Sequence, residues 1–141
     1  MALPKPEPGM VINYSYLWHR EFSKEMEEGR KDRPALIILA VEDDDLGLMI
    51  TVLPIMHSTT LTAVGLEIPS AVNVHLGRDD QRSWVVVEEG NELIWPGSDL
   101  RKRKQTGRLE YGFLPPKLFD KIKQAFVGVH QAKKFKIVPR S

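Results

Sequence analysis

The stretch PALIILAVEDDDLGLMITVLPI, residues 34–55, decides the fold of this 141-residue chain. It holds two apolar runs rich in β-branched residues, and the acidic segment EDDDLG at 42–47 separates them. Each run has the length of a strand rather than a helix, and turn signals bound both. Residues 34–55 are therefore predicted to form a β-hairpin, with a bulge or a strand end near Pro54.

Further strand-like segments lie on both sides of this hairpin. The predicted strands outside it are residues 9–18, 65–68, 83–88, 92–95 and 109–113. Tyr16 and Trp18 in the first of them are interpreted as core or dimer contacts rather than as base-stacking platforms. A short helix is predicted at 70–76 with Gly77 as its stop, and a longer one at 115–132 has a one-sided apolar stripe. The pattern predicts a mainly β, SH3-like small barrel with a short internal helix and a C-terminal helix, while an oligonucleotide-binding barrel stays open.

The length of the chain fits one domain, predicted at residues 9–132. A proline-rich leader at 1–8 is expected to be flexible, and a loose basic tail is expected at 133–141. The chain has no cysteine, which excludes a disulfide scaffold, thiolate metal sites and a cysteine nucleophile. No apolar run approaches the roughly 20 residues that span a bilayer, and no signal-peptide pattern is visible. We therefore expect a cytoplasmic protein with no membrane partner.

The charges are divided unevenly along the sequence. Residues 1–100 carry 8 Lys/Arg and 17 Asp/Glu, net −9, whereas residues 101–141 carry 12 Lys/Arg and 2 Asp/Glu, net +10. Such a division indicates a polyanionic partner or pairing with an acidic surface. A solvated basic surface explains it equally well, because basic runs are common on protein surfaces.

Several short motifs follow one another in a recognisable order. They are an opening strand PGMVINYSYLW, a charged loop ending in DRPA, a strand ending in LPIMHS, the strand SWVVVEE and the closing GFLPPKLFDKIKQAF. This order, over about residues 9–127, resembles the MazF/PemK family of type II toxin–antitoxin toxins. The resemblance implies a cytoplasmic, homodimeric endoribonuclease that uses no metal or other cofactor and is blocked by an acidic antitoxin protein.

The resemblance also implies a reaction and its catalytic residues. Such toxins cut single-stranded RNA by attack of a 2′-hydroxyl on the adjacent phosphorus, which leaves a 2′,3′-cyclic phosphate and a 5′-hydroxyl. Arg33 matches the catalytic arginine, whose planar donor fork suits a phosphorane, while a purely structural pairing with Asp32 or a loop glutamate stays open.

Met56 stands where the family has a threonine, and a thioether cannot donate a hydrogen bond. His57, Ser58 and Thr59 follow directly and are the candidates to replace it, with His57 and then Ser58 preferred. His57 is equally interpreted as a polar loop residue.

Six further residues are candidate RNA contacts. They are His19, Glu89, Trp95, Arg101, Lys102 and Arg103. Glu89 lies near the family's acidic position and could orient Arg33 or accept a proton, but it could equally belong to a solvated edge. Trp95 could stack on a base or anchor the core. The run RKRK at 101–104 could neutralise RNA phosphates or bind an acidic antitoxin.

Two other functions remain open on the sequence. A binding module of the same fold that has lost cleavage is favoured by Met56 and by Glu92, near which several family members have an arginine. A toxin of the same barrel could instead act on a protein such as a topoisomerase, although no residue specifically indicates it. A small upstream gene for an acidic partner would favour either toxin hypothesis over a solitary binding module.

Overall fold

The computed structural model describes residues 3–18, 32–57, 65–78 and 82–140, which form eight strands and two helices. The strands are β1 Met10–Tyr14, β2 Arg33–Asp43, β3 Gly47–Met56, β4 Gly65–Ile68, β5 Ser83–Val86, β6 Glu89–Ile94, β7 Glu110–Phe113 and β8 Lys136–Pro139. The helices are α1 Ser70–His75 and α2 Pro116–Gln131. Each of these elements except β8 overlaps one that the sequence predicted.

The strands form one curled sheet, a half-barrel, in the order β4-β5-β3-β2-β1-β7, and β6 pairs with both β3 and β8. All pairs are antiparallel apart from β6 with β8. β5 and β6 follow each other along the same side of β3, where Val85 pairs with Ile55 and Asn91 pairs with Val52. The register changes between these two halves, and the sheet curls there. A mainly β half-barrel with two helices is thus confirmed.

The predicted hairpin of β2 and β3 is the longest pairing in the sheet. It runs from Ala35 opposite Pro54 to Asp43 opposite Gly47. Asp43 Oδ1 accepts hydrogen bonds from the backbone N–H groups of the next turn residues, and Gly47 has φ +100°, a conformation that favours glycine. Pro54 lies two residues before the end of β3, where the sequence placed a strand end.

Two hydrophobic clusters pack on the two faces of this sheet. Alternation along β1 places Val11 in the first cluster and Ile12 in the second, and both are completely buried. α2 covers the first cluster through buried Ile122 and Phe126. The predicted stripe is confirmed, since its other members also pack there: Leu118, Phe119, Ala125 and Val129.

The C-terminal segment forms strand β8 in place of the loose tail that the sequence predicted for 133–141. It lies parallel to β6, and Val138 is completely buried. The pairing continues past the strand, because the Arg140 backbone N–H donates to the Glu92 carbonyl at 2.7 Å. The Arg140 guanidinium then forms a two-point ion pair with Asp99, with N···O distances of 3.0 and 2.6 Å and side chains only 3% and 7% exposed. The segment is ordered by these long-range contacts.

Gly90 on β6 occupies a position with no room for a side chain. A Cβ there would lie 2.7 Å from the Val52 carbonyl oxygen and 2.9 Å from Phe135 Cζ. We expect Gly90→Ala to lower the free energy of unfolding by about 1–3 kcal/mol through this overpacking, measured by urea denaturation. Gly128→Ala is the matched control, because nothing lies within 4 Å of its Cβ. In a helix that change should stabilise by about 0.5–1 kcal/mol, and equal effects of the two changes would contradict the packing described.

Candidate functional site

A cluster of aromatic and charged side chains joins the end of β1 to the starts of β2 and β6. Arg33 Cζ lies 5.0 Å from the centroid of the Trp18 ring. The Trp18 ring meets Tyr16 edge-on, with centroids 5.1 Å apart. The Tyr16 hydroxyl donates a hydrogen bond to Glu89 Oε1 at 3.0 Å. These four residues, called here the Arg33–Glu89 cluster, bring together two residues that the sequence singled out as candidates.

Strand pairing places the members of this cluster. Tyr14 pairs with Arg33, so the start of β2 lies beside the segment that follows β1. Asn91 on β6 fixes that segment: its Nδ2 donates to the Leu17 carbonyl at 2.8 Å, and its Oδ1 accepts from the Leu17 N–H at 2.9 Å. Both residues are completely or almost completely buried, so these bonds hold Trp18 in a fixed place. Asn91 directly precedes a predicted strand, and no sequence signal marked it.

The Tyr16 phenol is a structural donor. Burial raises its pKa well above the usual value, and the Glu89 charge and hydrogen bond raise it further, against a smaller lowering by Arg33. Tyr16 therefore keeps its proton at neutral pH and cannot serve as a base. Its role in the cluster is to hold the Glu89 carboxylate through this hydrogen bond.

His57 lies directly beyond the end of β3. Ala35 pairs with Pro54, so His57 and Arg33 lie at the same end of the β2–β3 hairpin. His57 is exposed, and its Nδ1 lies 3.3 Å from the Arg82 carbonyl oxygen. The other two candidates from the neighbouring loops, His19 and Ser58, lie outside the described residues.

Trp95 contacts the hydrophobic core. Its ring packs against the second cluster, and its backbone N–H donates to the Leu48 carbonyl at 2.8 Å. It is only partly buried. Of the two interpretations of Trp95, these contacts are those of a core anchor.

The basic run at 101–104 is divided between bound and exposed side chains. Arg101 Nε lies 3.6 Å from a carboxylate oxygen of Asp32, the neighbour of Arg33. Arg103 lies with its guanidinium 4.0 Å from the Tyr111 ring centroid. Lys102 and Lys104 are exposed. The run thus begins close to the Arg33–Glu89 cluster, and its lysines can contact a passing polyanion.

Two buried tyrosines at this end of the sheet, Tyr14 and Tyr16, are expected to make the free energy of unfolding fall at alkaline pH. Burial, and next the charge of Asp99, raise the pKa of Tyr14 far above 10.0, as burial does for Tyr16. Above about pH 10 the unfolded chain therefore loses phenol protons that the folded chain keeps. Stability is then full below pH 10 and falls as the pH rises, by about 1.4 kcal/mol per pH unit for each tyrosine.

Urea unfolding in steps from near pH 9 to near pH 11 measures this fall. Tyr16→Phe should make the dependence shallower, because one of the two phenols is then absent from both states. A free energy of unfolding that stays constant across this interval would contradict the burial of both phenols.

Comparison with known proteins adds no assignment. No protein-family model, no curated protein and no solved structure matches the chain. Within the described ranges, no helix is long and apolar enough to cross a membrane. In the same ranges, no three His, Asp or Glu side chains are grouped so that they could hold a metal ion. The family resemblance therefore rests on the order of the sequence motifs.

Proposed function

We propose that the chain is a MazF/PemK-like endoribonuclease on an SH3-like barrel, which cuts single-stranded RNA without a metal and acts as a cytoplasmic, homodimeric toxin held inactive by an acidic antitoxin. The observation that carries the proposal is the Arg33–Glu89 cluster. It sets a guanidinium, an indole ring and a carboxylate side by side at one end of the sheet. These are the groups needed to bind a phosphate, stack a base and accept a proton.

Arg33 is the electrostatic component of the proposed reaction. Its cation–π contact with the Trp18 ring, 5.0 Å from Cζ to the centroid, holds the guanidinium beside the indole before RNA binds. A phosphodiester beside it can accept two N–H hydrogen bonds. The negative charge that grows on the phosphoryl oxygens during attack then meets a permanent positive charge.

Glu89 is the proposed proton acceptor. The 2′-oxygen forms its bond to phosphorus as its proton passes to the Glu89 carboxylate, and the bond to the 5′-oxygen breaks. The leaving 5′-oxygen takes a proton from a general acid, for which His57 is the candidate at the same end of the hairpin. The hydrogen bond from Tyr16 keeps the carboxylate oriented throughout.

Purified protein incubated with a long single-stranded RNA in excess EDTA tests this function. The expected result is a set of discrete cuts whose upstream fragments end in a 2′,3′-cyclic phosphate and whose downstream fragments begin with a 5′-hydroxyl. Glu89→Gln should abolish the cuts and keep RNA binding, because the amide cannot take the proton. A folded protein that leaves every RNA intact would overturn the proposal.

A binding module without cleavage is the second candidate. Met56 favours it, since this thioether pairs beside Trp84 at the end of β3, where the resemblance calls for a hydroxyl donor. In that case the wild type binds RNA or an acidic protein but leaves the RNA uncut. Arg33→Ala and Glu89→Gln then give the same uncut RNA as the wild type. The same EDTA experiment, run with a gel-shift measurement, separates the two functions.

A further inference from the structure

A pocket lined by Glu92 lies on the opposite face of β6 from Glu89, because residues at odd and even positions of a strand point to opposite faces. It has a volume of about 400 Å³ and lies between the end of α2 and strands β2, β3, β6 and β8. This volume falls in the lower part of the range for small-molecule sites. We call it the β6–α2 pocket, and the proposed ribonuclease reaction does not use it.

One wall of the pocket is aromatic. Phe126 and Phe135 meet edge-on with centroids 4.9 Å apart. His130 lies 5.9 Å from the first ring and 6.2 Å from the second. Phe126 is buried, whereas His130 is exposed and Phe135 is half-buried. The outer rings therefore offer faces on which a flat ligand can stack.

The floor of the pocket is polar. Thr51 on β3 pairs directly with Glu92 on β6, and both side chains line the pocket. Thr51 is only 8% exposed. Among the described residues, neither side chain has a hydrogen-bond or ion-pair partner. A hydroxyl beside a carboxylate, both on residues that line the pocket, suits a ligand edge that carries two neighbouring donors.

Lys133 stands at the rim in a strained conformation. It follows α2 with φ +58°, in the left-handed region that glycine normally occupies after a helix. This conformation closes the end of α2, where the Lys134 N–H donates to the Val129 carbonyl at 3.1 Å, and it places Lys133 beside the pocket. Lys133 lines the pocket, so its ammonium can reach a negative group of a ligand held inside.

We infer that the β6–α2 pocket binds a guanine nucleotide, with the base on the aromatic wall, its donor edge on Glu92 and its phosphate on Lys133. Guanine presents an N1–H and a neighbouring N2 amino group, which match the two oxygens of a carboxylate. Adenine presents the N1 lone pair at the same place and would be repelled by Glu92. The guanosine is either a free nucleotide or a residue of an RNA strand, since both carry the same base and phosphate.

Titration calorimetry with GMP and AMP tests this assignment. GMP has no internucleotide bond, so its binding does not depend on ribonuclease activity, and failure of one proposal leaves the other standing. We expect GMP to bind about tenfold or more tighter than AMP, the discrimination of a bidentate contact. No GMP binding at millimolar concentration, or equal binding of the two nucleotides, would overturn the site.

Variants locate the binding. Glu92→Gln keeps the size of the side chain and should weaken GMP about tenfold while AMP changes less than about twofold. Thr51→Val is a second, isosteric variant that should also weaken GMP. Glu42→Gln, on the exposed part of β2, is the matched control and should change nothing. Unchanged GMP affinity in both Glu92→Gln and Thr51→Val would remove the pocket from the binding.

Lys133→Gly gives a readout that a purely structural role would not produce. It relieves the positive φ and should raise the melting temperature, while it weakens GMP and leaves guanosine, which has no phosphate, unaffected. A GMP affinity equal to that of the wild type would contradict the phosphate contact.

A competition experiment distinguishes an RNA ligand from a free nucleotide. A short RNA with a single guanosine is used to displace bound GMP. Displacement at a lower concentration than unlabelled GMP requires supports the site with RNA as its ligand, and displacement only at a higher concentration supports it with the free nucleotide.

Discussion

Arg33→Ala is expected to lower the rate of RNA cleavage by at least about 100-fold, the loss found when one donor to a developing oxyanion is removed. The fold should survive, because Arg33 is only the first residue of β2 and lies at the end of the hairpin. Cleavage rates are measured on one oligonucleotide in EDTA, and growth of cells that produce the variant gives the second readout. We expect growth inhibition to disappear together with cleavage.

The chain contains a matched control for this change. Arg82 also lies over an indole, 4.9 Å from the Trp84 ring centroid, and its side chain is 71% exposed. Arg82→Ala should leave cleavage unchanged although it removes the same kind of stacked pair. Arg33→Lys keeps the charge and loses the planar fork, so it should recover only a small part of the rate. Full activity of folded Arg33→Ala would remove this residue from the mechanism.

Arg140→Ala is expected to lower the free energy of unfolding by about 3–5 kcal/mol, the cost of leaving a buried charge without its partner. The Asp99 side chain is 7% exposed, and its carboxylate oxygens lie 3.0 Å from Nε and 2.6 Å from Nη2 of the guanidinium. Arg140 Nη2 also lies 3.5 Å from the Ser15 carbonyl, so the same change loosens the segment that leads to Tyr16. Urea denaturation followed by tryptophan fluorescence measures the loss.

Lys136→Ala, on the exposed side of β8, is the control and should change stability by less than about 0.5 kcal/mol. A double variant, Asp99→Leu with Arg140→Met, should recover most of the loss, because no uncompensated charge then stays buried. If Arg140→Ala and Lys136→Ala have equal small effects, the buried ion pair does not hold the C-terminal strand.

Local patterns sufficed for most of the fold. The hairpin follows from two β-branched runs around an Asp-rich turn, and α2 follows from an apolar stripe that begins after Pro115. Both signals operate within a few neighbouring residues. Strand β8 carries no such signal: its sequence KIVP is short, ends in proline and has one buried residue. β8 forms because it pairs with the edge of β6 and because Arg140 binds the Asp99 carboxylate. Neither partner can be inferred from residues 136–139 alone.

The candidate site was also predictable from the sequence only in part. Arg33 and Glu89 were candidates through the motif order, and the structure joins them through Tyr16 and Trp18. The sequence suggested core or dimer contacts for these two aromatic residues. Tyr16 and Glu89 are 73 positions apart, and Asn91 reaches back 74 positions to Leu17. Such contacts depend on how the segment after β1 packs against β6, which residue spacing does not encode.

The ion pair of Asp99 with Arg140 also has a consequence for folding during translation. The two residues are 41 positions apart, so at 5–20 residues per second the ribosome needs about 2–8 s to supply the partner of Asp99. During this interval the nascent half-barrel cannot bury that carboxylate, and the carbonyl of Ser15 lacks its contact with Arg140. Until β8 is made, the edge of β6 on which it pairs is open, and an open strand edge exposes the nascent chain to aggregation.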